Sequence, residues 1–194
     1  CARSVELVRE AKARGVRVTA EVAPHHLVLT DEAVNTYRFD TDTRVNPPLR
    51  SPADVESLLE GLRDGTIDAI ATDHAPHHLD DKDVEYAYAL PGIVGLETSV
   101  GLILSRLVDT GRLNLETAVR ALTIGPARVL GLDQGTLAPG SPADVTVIDP
   151  AREWTVDPSR FASKSRNTPF KGWLLRGQAV LTVAAGKVVH DAIA

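Results

Sequence analysis

A repeated order of helix and then buried strand is the feature that most constrains the fold of this chain. Residues 4–15, SVELVREAKARG, carry apolar side chains at helical spacing, with Ser4 as the predicted N-cap. The next residues, VRVTAEV at 16–22, form a β-rich run whose weak alternation is typical of a buried parallel strand. The same order returns in PADVESLLEGLRDG at 52–65 and TIDAIAT at 66–72. Helix followed directly by strand predicts an α/β protein.

The helical patterns end near residue 131. After it, turn residues flank a β-type run at Asp144–Asp149, and residues 173–190 predict two or three short strands joined at Gly177 and Gly186. We therefore expect a helix-and-strand region followed by a small all-β segment. Before the change, further helices are predicted at three places: about 96–109, 114–122 and 126–130.

The composition excludes several classes of protein. A chain with a net charge of −5 and no long Lys/Arg cluster is a poor nucleic-acid binder. No apolar run approaches the roughly 20 residues that span a bilayer. A single cysteine, Cys1, excludes an internal disulfide and favours a reducing compartment, so we expect a cytoplasmic protein. Because the chain begins with Cys1 and contains no methionine, we also expect an internal start.

Candidate chemistry is concentrated in IATDHAPHHLDDKD, residues 70–83. Asp73 falls at the carboxyl end of the second predicted strand, where α/β proteins bind their ligands. A carboxylate there can ligate a metal, act as a general base or cap the next helix. His77 is a candidate for contact with a substrate or with a residue that ligates the metal. His78 is expected at the surface. Simple capping by Thr72 and Asp73, with solvated histidines, fits the spacing equally well.

The same stretch resembles a motif of a known enzyme family. The segment ATDHAPHHLDDK, residues 71–82, is similar to the C-terminal motif of dihydroorotases, including its lysine at Lys82. The resemblance covers essentially the whole chain and is closest to the longer, bacterial-type class of the amidohydrolase superfamily. Four further segments follow in the family's order: EVAPHHLVLTDE at 21–32, VNPPLR at 45–50, GIVGLET at 92–98 and NTPFKG at 167–172.

This resemblance implies a fold and a reaction. Dihydroorotases are zinc enzymes on a (β/α)₈ TIM barrel with a small β-sandwich. They interconvert N-carbamoyl-L-aspartate and (S)-dihydroorotate in UMP biosynthesis. Residues 1–131 are then expected to be the C-terminal part of the barrel, with its last two strands, and residues 132–194 a β-sandwich segment. A homodimer and an association with aspartate carbamoyltransferase are further expectations.

The resemblance also assigns roles to individual residues. It implies that Asp73 is both a metal ligand and the catalytic acid/base. Asn46 is expected to contact the substrate ring and His77 the substrate carboxylate, with the backbone of Pro91 and Gly92 as a further substrate contact. Many relatives carry an aromatic residue where Pro91 stands, and proline has no N–H, so an amide donor at this pair has to be Gly92.

Two histidines in PHHL are not among the metal ligands of the family. His25 and His26 are therefore expected to be structural or to support the site from outside the ligand set. The family's other metal ligands, an HxH pair, a bridging residue and two further histidines, lie upstream of the position of Ser4. We expect this chain to be the C-terminal portion of such an enzyme and inactive alone, because one carboxylate binds zinc only weakly.

Alternative functions stay open. One is another cyclic amide hydrolase of the superfamily, a dihydropyrimidinase or an allantoinase, although these usually lack the Ala-Pro-His continuation after the aspartate. The other is a catalytically inactive chain that serves as a structural partner of aspartate carbamoyltransferase. The presence of Asp73 and His77 favours an active enzyme.

Overall fold

The computed structural model describes residues 1–193 and contains both kinds of region that the sequence predicts. The helices are α1 (Ala2–Ala13), α2 (Pro24–Val28), α3 (Glu32–Thr36), α4 (Pro52–Asp64), α5 (Leu79–Lys82), α6 (Ser99–Ile103), α7 (Leu115–Leu122) and α8 (Ile124–Leu130). A π-helical turn, Leu104–Val108, continues α6, and 3₁₀ turns lie at Thr41–Thr43 and Pro158–Arg160. The strands are β1 (Glu21–Val22), β2 (Ala69–Ile70), β3 (Val145–Thr155), β4 (Leu174–Ala184) and β5 (Lys187–Asp191).

Strands β1 and β2 form the parallel pair predicted by the helix-and-strand order. Glu21 lies opposite Ala69, and Val22 lies opposite Ile70. Both strands are shorter than the predicted runs, although backbone hydrogen bonds from Asp68 to Ala20 O and from Ala71 to Val22 O extend the pairing at each end. The connection between them contains α2, α3 and α4, as a crossover between parallel strands requires.

Local sequence signals explain α4 well. Ser51 accepts a hydrogen bond from the Asp54 amide, Pro52 occupies the first turn, and Gly65 follows the last residue. The predicted N-cap of α1 is wrong, because the helix begins at Ala2 and its N-cap is Cys1. The amide of Ala2 donates instead to the Asp54 carboxylate at 2.7 Å, which ties the start of α1 to α4.

The first apolar core lies between these helices and the parallel pair. Its fully buried side chains include Leu27 of α2, Leu59 of α4, and Ile103 and Leu107 near the end of α6. Val22 and Ile70 complete it from the strands. The carboxyl ends of β1 and β2 are therefore packed in this core, and the loops that follow both strands begin there.

Strands β3, β4 and β5 form an antiparallel sheet in that order. Gly186 connects β4 to β5 as predicted. The predicted break at Gly177 is wrong, because this residue lies inside β4. Gly177 has φ +89°, and a Cβ there would lie 2.3 Å from Leu104 Cδ1. The glycine thus allows close packing of the sheet on the helices rather than a turn.

A second core joins the two parts of the chain. Leu102 of α6 and Ile93 pack with Phe170, Leu175 and Val156, which belong to the C-terminal part. Leu102 and Ile93 are each 1% exposed and Leu175 is 0% exposed, so the contact is dry. The antiparallel sheet is therefore fixed to the helical part by apolar burial. Among the described helices, none is both long and apolar enough to cross a membrane.

Candidate active site

Asp73 lies three residues beyond β2, at the carboxyl end of the parallel pair. Its backbone adopts φ +49°, which is uncommon for residues other than glycine. The side chain is 46% exposed. Strained backbone of this kind is found most often at functional sites, where the surrounding structure holds it. The position predicted from the sequence, a carboxylate at the end of a buried strand, is observed.

Two histidines of α2 flank this carboxylate. The sequence patterns missed α2, because Pro24 looked like the end of a strand, whereas it is the first residue of the helix. His25 Nε2 lies 3.8 Å from Asp73 Oδ2, which is beyond hydrogen-bonding distance. The rings of His25 and His26 contact each other with their centroids 4.2 Å apart and their planes tilted by 48°. The PHHL segment therefore forms one wall beside the carboxylate.

The two imidazoles differ in their surroundings. His25 is 2% exposed, and its Nε2 has no hydrogen-bond partner within residues 1–193. Burial, and to a smaller extent His26, lowers the pKa of His25 to about 3, so this ring is neutral at pH 7. His26 Nε2 donates to the Pro47 carbonyl at 2.8 Å. Burial lowers the pKa of His26 as well, opposed by Pro47 and Asp73.

Asn46 and Asp73 line one cavity of about 380 Å³. His26 also lines this cavity, together with apolar side chains such as Val5 and Ile67. Asn46 itself is exposed and lies in the loop between the 3₁₀ turn at Thr41–Thr43 and α4. The structure thus brings together two of the predicted site residues, which are separated by α4 and β2 in the sequence.

His77 belongs to a second group. Its Nε2 donates to the Pro91 carbonyl at 3.1 Å, and its backbone N–H donates to Asn167 Oδ1 at 3.3 Å. Ser165 Oγ donates to the His77 carbonyl. The imidazole lines a different cavity of about 630 Å³, whose lining includes Lys82 but not Asp73. Within this chain, His77 and Asp73 therefore face separate cavities.

The loop at Pro91 and Gly92 packs tightly against His77. Gly92 has φ +140°, and a Cβ at this position would lie 2.6 Å from Ala75 Cβ and 2.8 Å from His77 Nε2. The Gly92 N–H donates to the Arg44 carbonyl at 2.9 Å. A substrate contact through this amide, as the resemblance implies, requires that hydrogen bond to open. Pro91 is exposed and offers its carbonyl to His77.

Lys82 lies against this loop with Asp42 beside it, and no role was predicted for either residue. Lys82 is 5% exposed and donates to the carbonyls of Leu90 and Gly92 at 3.0 and 3.1 Å. Burial, followed by the charge of Asp40, raises the pKa of Asp42 to about 6, with Lys82 acting in the opposite direction. The match of Lys82 to the motif was a usable signal, whereas Asp42 stands in a 3₁₀ turn that no pattern marks.

The described residues do not complete a zinc site by themselves. Within residues 1–193, no three His, Cys, Asp or Glu side chains lie close enough together to hold a metal ion. Zinc sites in enzymes usually take three protein ligands. The Asp73 carboxylate and the buried His25 Nε2, 3.8 Å apart, are two groups that could ligate a metal ion. Further donors have to come from outside these residues if zinc is bound here.

The fold is that of an amidohydrolase. A family model described as the amidohydrolase family matches residues 2–189, and the chain belongs to this family. It is similar to the dihydroorotase of Pelotomaculum thermopropionicum, with 62% identity over 186 residues that cover 96% of this chain and 43% of that protein. It is also 59% identical to the dihydroorotase of Geobacter sp. strain M21 over 189 residues, 97% of this chain and 44% of the relative.

Solved structures of related hydrolases have the same fold. The L-hydantoinase (dihydropyrimidinase) of Arthrobacter aurescens matches with a TM-score of 0.92 and 35% identity, over 98% of this chain and 43% of that one. The dihydropyrimidinase of Brevibacillus agri NCHU1002 matches with a TM-score of 0.90 and 25% identity, over 99% and 43% of the two chains. The chain spans less than half the length of these relatives. The predicted resemblance to dihydroorotases is confirmed.

Proposed function

We propose that this chain acts as part of a dihydroorotase, in the zinc-dependent, reversible cyclisation of N-carbamoyl-L-aspartate to (S)-dihydroorotate in UMP biosynthesis. The observation that carries the proposal is Asp73, a half-exposed carboxylate at the carboxyl end of β2 that shares a cavity with Asn46. Identity of 59% to 62% with two dihydroorotases favours this reaction within the family. The wider function, hydrolysis of a cyclic amide, fits the family as a whole.

The proposal includes the architecture of the whole enzyme. Residues 1–131 would supply the last two strands of a TIM barrel, and residues 132–194 a segment of its β-sandwich. The parallel pairing of β1 with β2 and the antiparallel sheet of β3, β4 and β5 support this division. The apolar core that they share supports a fixed arrangement of the two parts.

Asp73 has the properties that proton transfer requires. Its carboxylate is accessible, and the neutral His25 beside it competes for no proton at pH 7. We propose that Asp73 takes a proton from the attacking water and delivers it to the leaving nitrogen during ring opening, with the reverse order during cyclisation. Zinc, when bound, supplies the positive charge that makes such a water acidic, with a pKa of about 7. Residues outside this chain would provide the other ligands.

The remaining predicted residues would bind the substrate. Asn46 offers an amide to the substrate ring inside the cavity that it shares with Asp73. His77, held by Pro91 and Asn167, would contact the substrate carboxylate from the neighbouring loop. The Gly92 amide would join only after leaving Arg44 O. Since Asp73 and His77 line separate cavities here, the complete substrate site would form in the full polypeptide.

A second candidate is hydrolysis of hydantoin or a dihydropyrimidine. The TM-score of 0.92 to the L-hydantoinase of Arthrobacter aurescens favours it, although the identity is only 35%. The two candidates are separated by the turnover of dihydroorotate against hydantoin and allantoin in the full-length polypeptide. Faster turnover of dihydroorotate by at least an order of magnitude is the expected result, and preference for hydantoin would replace the first proposal by the second.

The zinc content of the chain provides the first test. We expect residues 1–194 alone, after purification and dialysis, to hold no stoichiometric zinc and not to hydrolyse dihydroorotate, whereas the full-length polypeptide does both. Zinc and turnover in the 194-residue chain would contradict the proposed division of the site. A cytoplasmic location, a homodimer and an association with aspartate carbamoyltransferase stay predictions, and co-purification from the native host tests the last of these.

A further inference from the structure

Asn167 makes more contacts to the candidate site than any role assigned so far explains. The side chain is 7% exposed and lies about 90 positions beyond the TDHAPH motif in sequence. Its Oδ1 accepts the backbone N–H of His77 at 3.3 Å. Its Nδ2 donates to the carbonyls of Ala75 at 3.2 Å and Gly92 at 3.0 Å. Its backbone carbonyl accepts the Val94 amide at 2.9 Å.

These four hydrogen bonds connect two loops that have no covalent link nearby. One loop carries His77, and the other carries Pro91 and Gly92. The loops also touch directly, since Ala75 N–H donates to the Ile93 carbonyl at 2.8 Å. A single buried amide can satisfy donors and acceptors on both loops at once because its oxygen and nitrogen point in different directions.

Lys82 reinforces one side of the same arrangement. Its Nζ donates to the Gly92 carbonyl at 3.1 Å, so that oxygen accepts from both Lys82 and Asn167. Carbonyl oxygens have two lone pairs, and both are used here. Loss of Lys82 alone therefore leaves the link through Asn167 in place.

We propose that Asn167 is a positioning residue that fixes His77 and the Pro91–Gly92 loop relative to one another. The inference rests on the proposed function, because it assigns a task at the same site. Since His77 would hold the substrate rather than take part in proton transfer, displacement of these loops weakens substrate binding and leaves the chemical step at Asp73 nearly unchanged. Asn167 itself touches no substrate.

The test uses the full-length polypeptide and two substitutions that remove different numbers of hydrogen bonds. Asn167→Asp keeps the acceptor for His77 N–H but removes both donors, whereas Asn167→Ala removes all three side-chain bonds. We expect KM for dihydroorotate to rise about tenfold in Asn167→Asp and further in Asn167→Ala, with kcat changed by less than about twofold, which is the signature of lost uniform binding. Lys82→Met is expected to raise KM by less.

A matched control separates positioning from general loss of stability. Asn114 caps α7 by accepting the Thr117 amide at 2.7 Å, away from the residues assigned to the site. Asn114→Ala removes one hydrogen bond between an asparagine side chain and the backbone and should leave KM unchanged. A rise in KM of equal size in Asn114→Ala and Asn167→Asp would overturn the inference, as would a fall in kcat at constant KM in Asn167→Asp.

Hydrogen exchange gives a readout that does not depend on the reaction. Asn167→Asp removes the bonds to the Ala75 and Gly92 carbonyls and should loosen both loops. The N–H groups of Ala75 and Gly92, which donate to Ile93 O and Arg44 O, should then exchange about five- to tenfold faster, whereas the His77 N–H, which donates to Asn167 itself, should exchange faster only in Asn167→Ala. Unchanged exchange at these amides would overturn the inference even if the wild-type enzyme turns over dihydroorotate. Faster exchange in an enzyme without that activity would support the loop role and overturn the proposed function instead. Should Asn167→Asp fold poorly because of its buried charge, the uncharged Asn167→Ala provides the same measurements.

Discussion

Asp73, on the one hand, and His77 with Gly92, on the other, lie near the same strand end but are held differently. Asp73 is 46% exposed, and its carboxylate lies 3.8 Å from His25 Nε2 without a hydrogen bond to it. His77 and Gly92 are held by hydrogen bonds to Pro91, Asn167 and Lys82. The group proposed for proton transfer is thus left accessible, whereas the groups proposed for binding are fixed by the rest of the protein. Four predictions test this difference, from the largest expected effect to the smallest.

Substitution of the accessible carboxylate should have the largest effect. Asp73→Asn in the full-length polypeptide is expected to lower kcat by about 10²- to 10⁴-fold with little change in KM, because an amide cannot carry the proton. Steady-state kinetics with dihydroorotate measures both constants. The exposed Asp133 provides the control, and Asp133→Asn should be neutral. A loss confined to KM would place Asp73 among the binding groups.

A side chain at Gly92 should disrupt the fixed loop. Gly92→Ala places a Cβ 2.6 Å from Ala75 Cβ at φ +140°, and we expect a loss of about 1–3 kcal/mol in the free energy of unfolding. Denaturant titration of the full-length polypeptide measures the change. Gly140→Ala is the matched control, since Gly140 has φ +90° but nothing within 4 Å of the added Cβ. Equal losses in both variants would mean that the close packing contributes nothing.

The buried imidazole beside Asp73 should make this side of the site sensitive to acid. The pKa of His25 is about 3 in the folded protein and has an ordinary value of 6.5, so only the unfolded chain binds the proton between these values. Its contribution to stability is therefore present above pH 6.5 and is lost as the pH falls towards 3. As the pH falls from 7 to 4.5, the free energy of unfolding of His25→Leu should rise relative to that of the wild type by on the order of 2 kcal/mol. A constant difference between the two proteins over this range would refute the assignment.

The carboxyl group beneath the fixed loops should respond in the opposite direction and more weakly. The pKa of Asp42 is raised to about 6 from an ordinary 3.8, so its favourable contribution is present below pH 3.8 and is lost as the pH rises through 6. Asp42→Asn should then have a higher Tm than wild type at pH 8 and an equal Tm below pH 4. Melting curves at several pH values measure this.

Sequence patterns predicted the elements whose signals are local. Helix α4 was expected at 52–65 and runs over Pro52–Asp64, because its cap and its end lie within the pattern itself. Helix α7 and the parallel pair were found for the same reason. Helix α2 was missed because a proline can end a strand or begin a helix, and only the surroundings decide between them.

The site was predictable to a similar extent. The place of Asp73 follows from one strand and its apolar run. The hydrogen bonds of Asn167 join it to residues that are between 75 and 92 positions away in the sequence. No local pattern encodes such contacts. The closure of Gly92 N–H on Arg44 O likewise depends on two distant loops. Sequence could therefore indicate which residues carry chemistry but not which ones are held in place.

The core that joins α6 to β4 has a practical consequence for protein engineering. A cut near residue 131 would leave Leu102 on one fragment and Phe170 and Leu175 on the other, each with its apolar face in water. Both pieces would then tend to aggregate or to reassociate rather than behave as independent modules. A chimaera between related hydrolases should accordingly exchange the helices and the antiparallel sheet together, because the seam between them is part of the protein's interior.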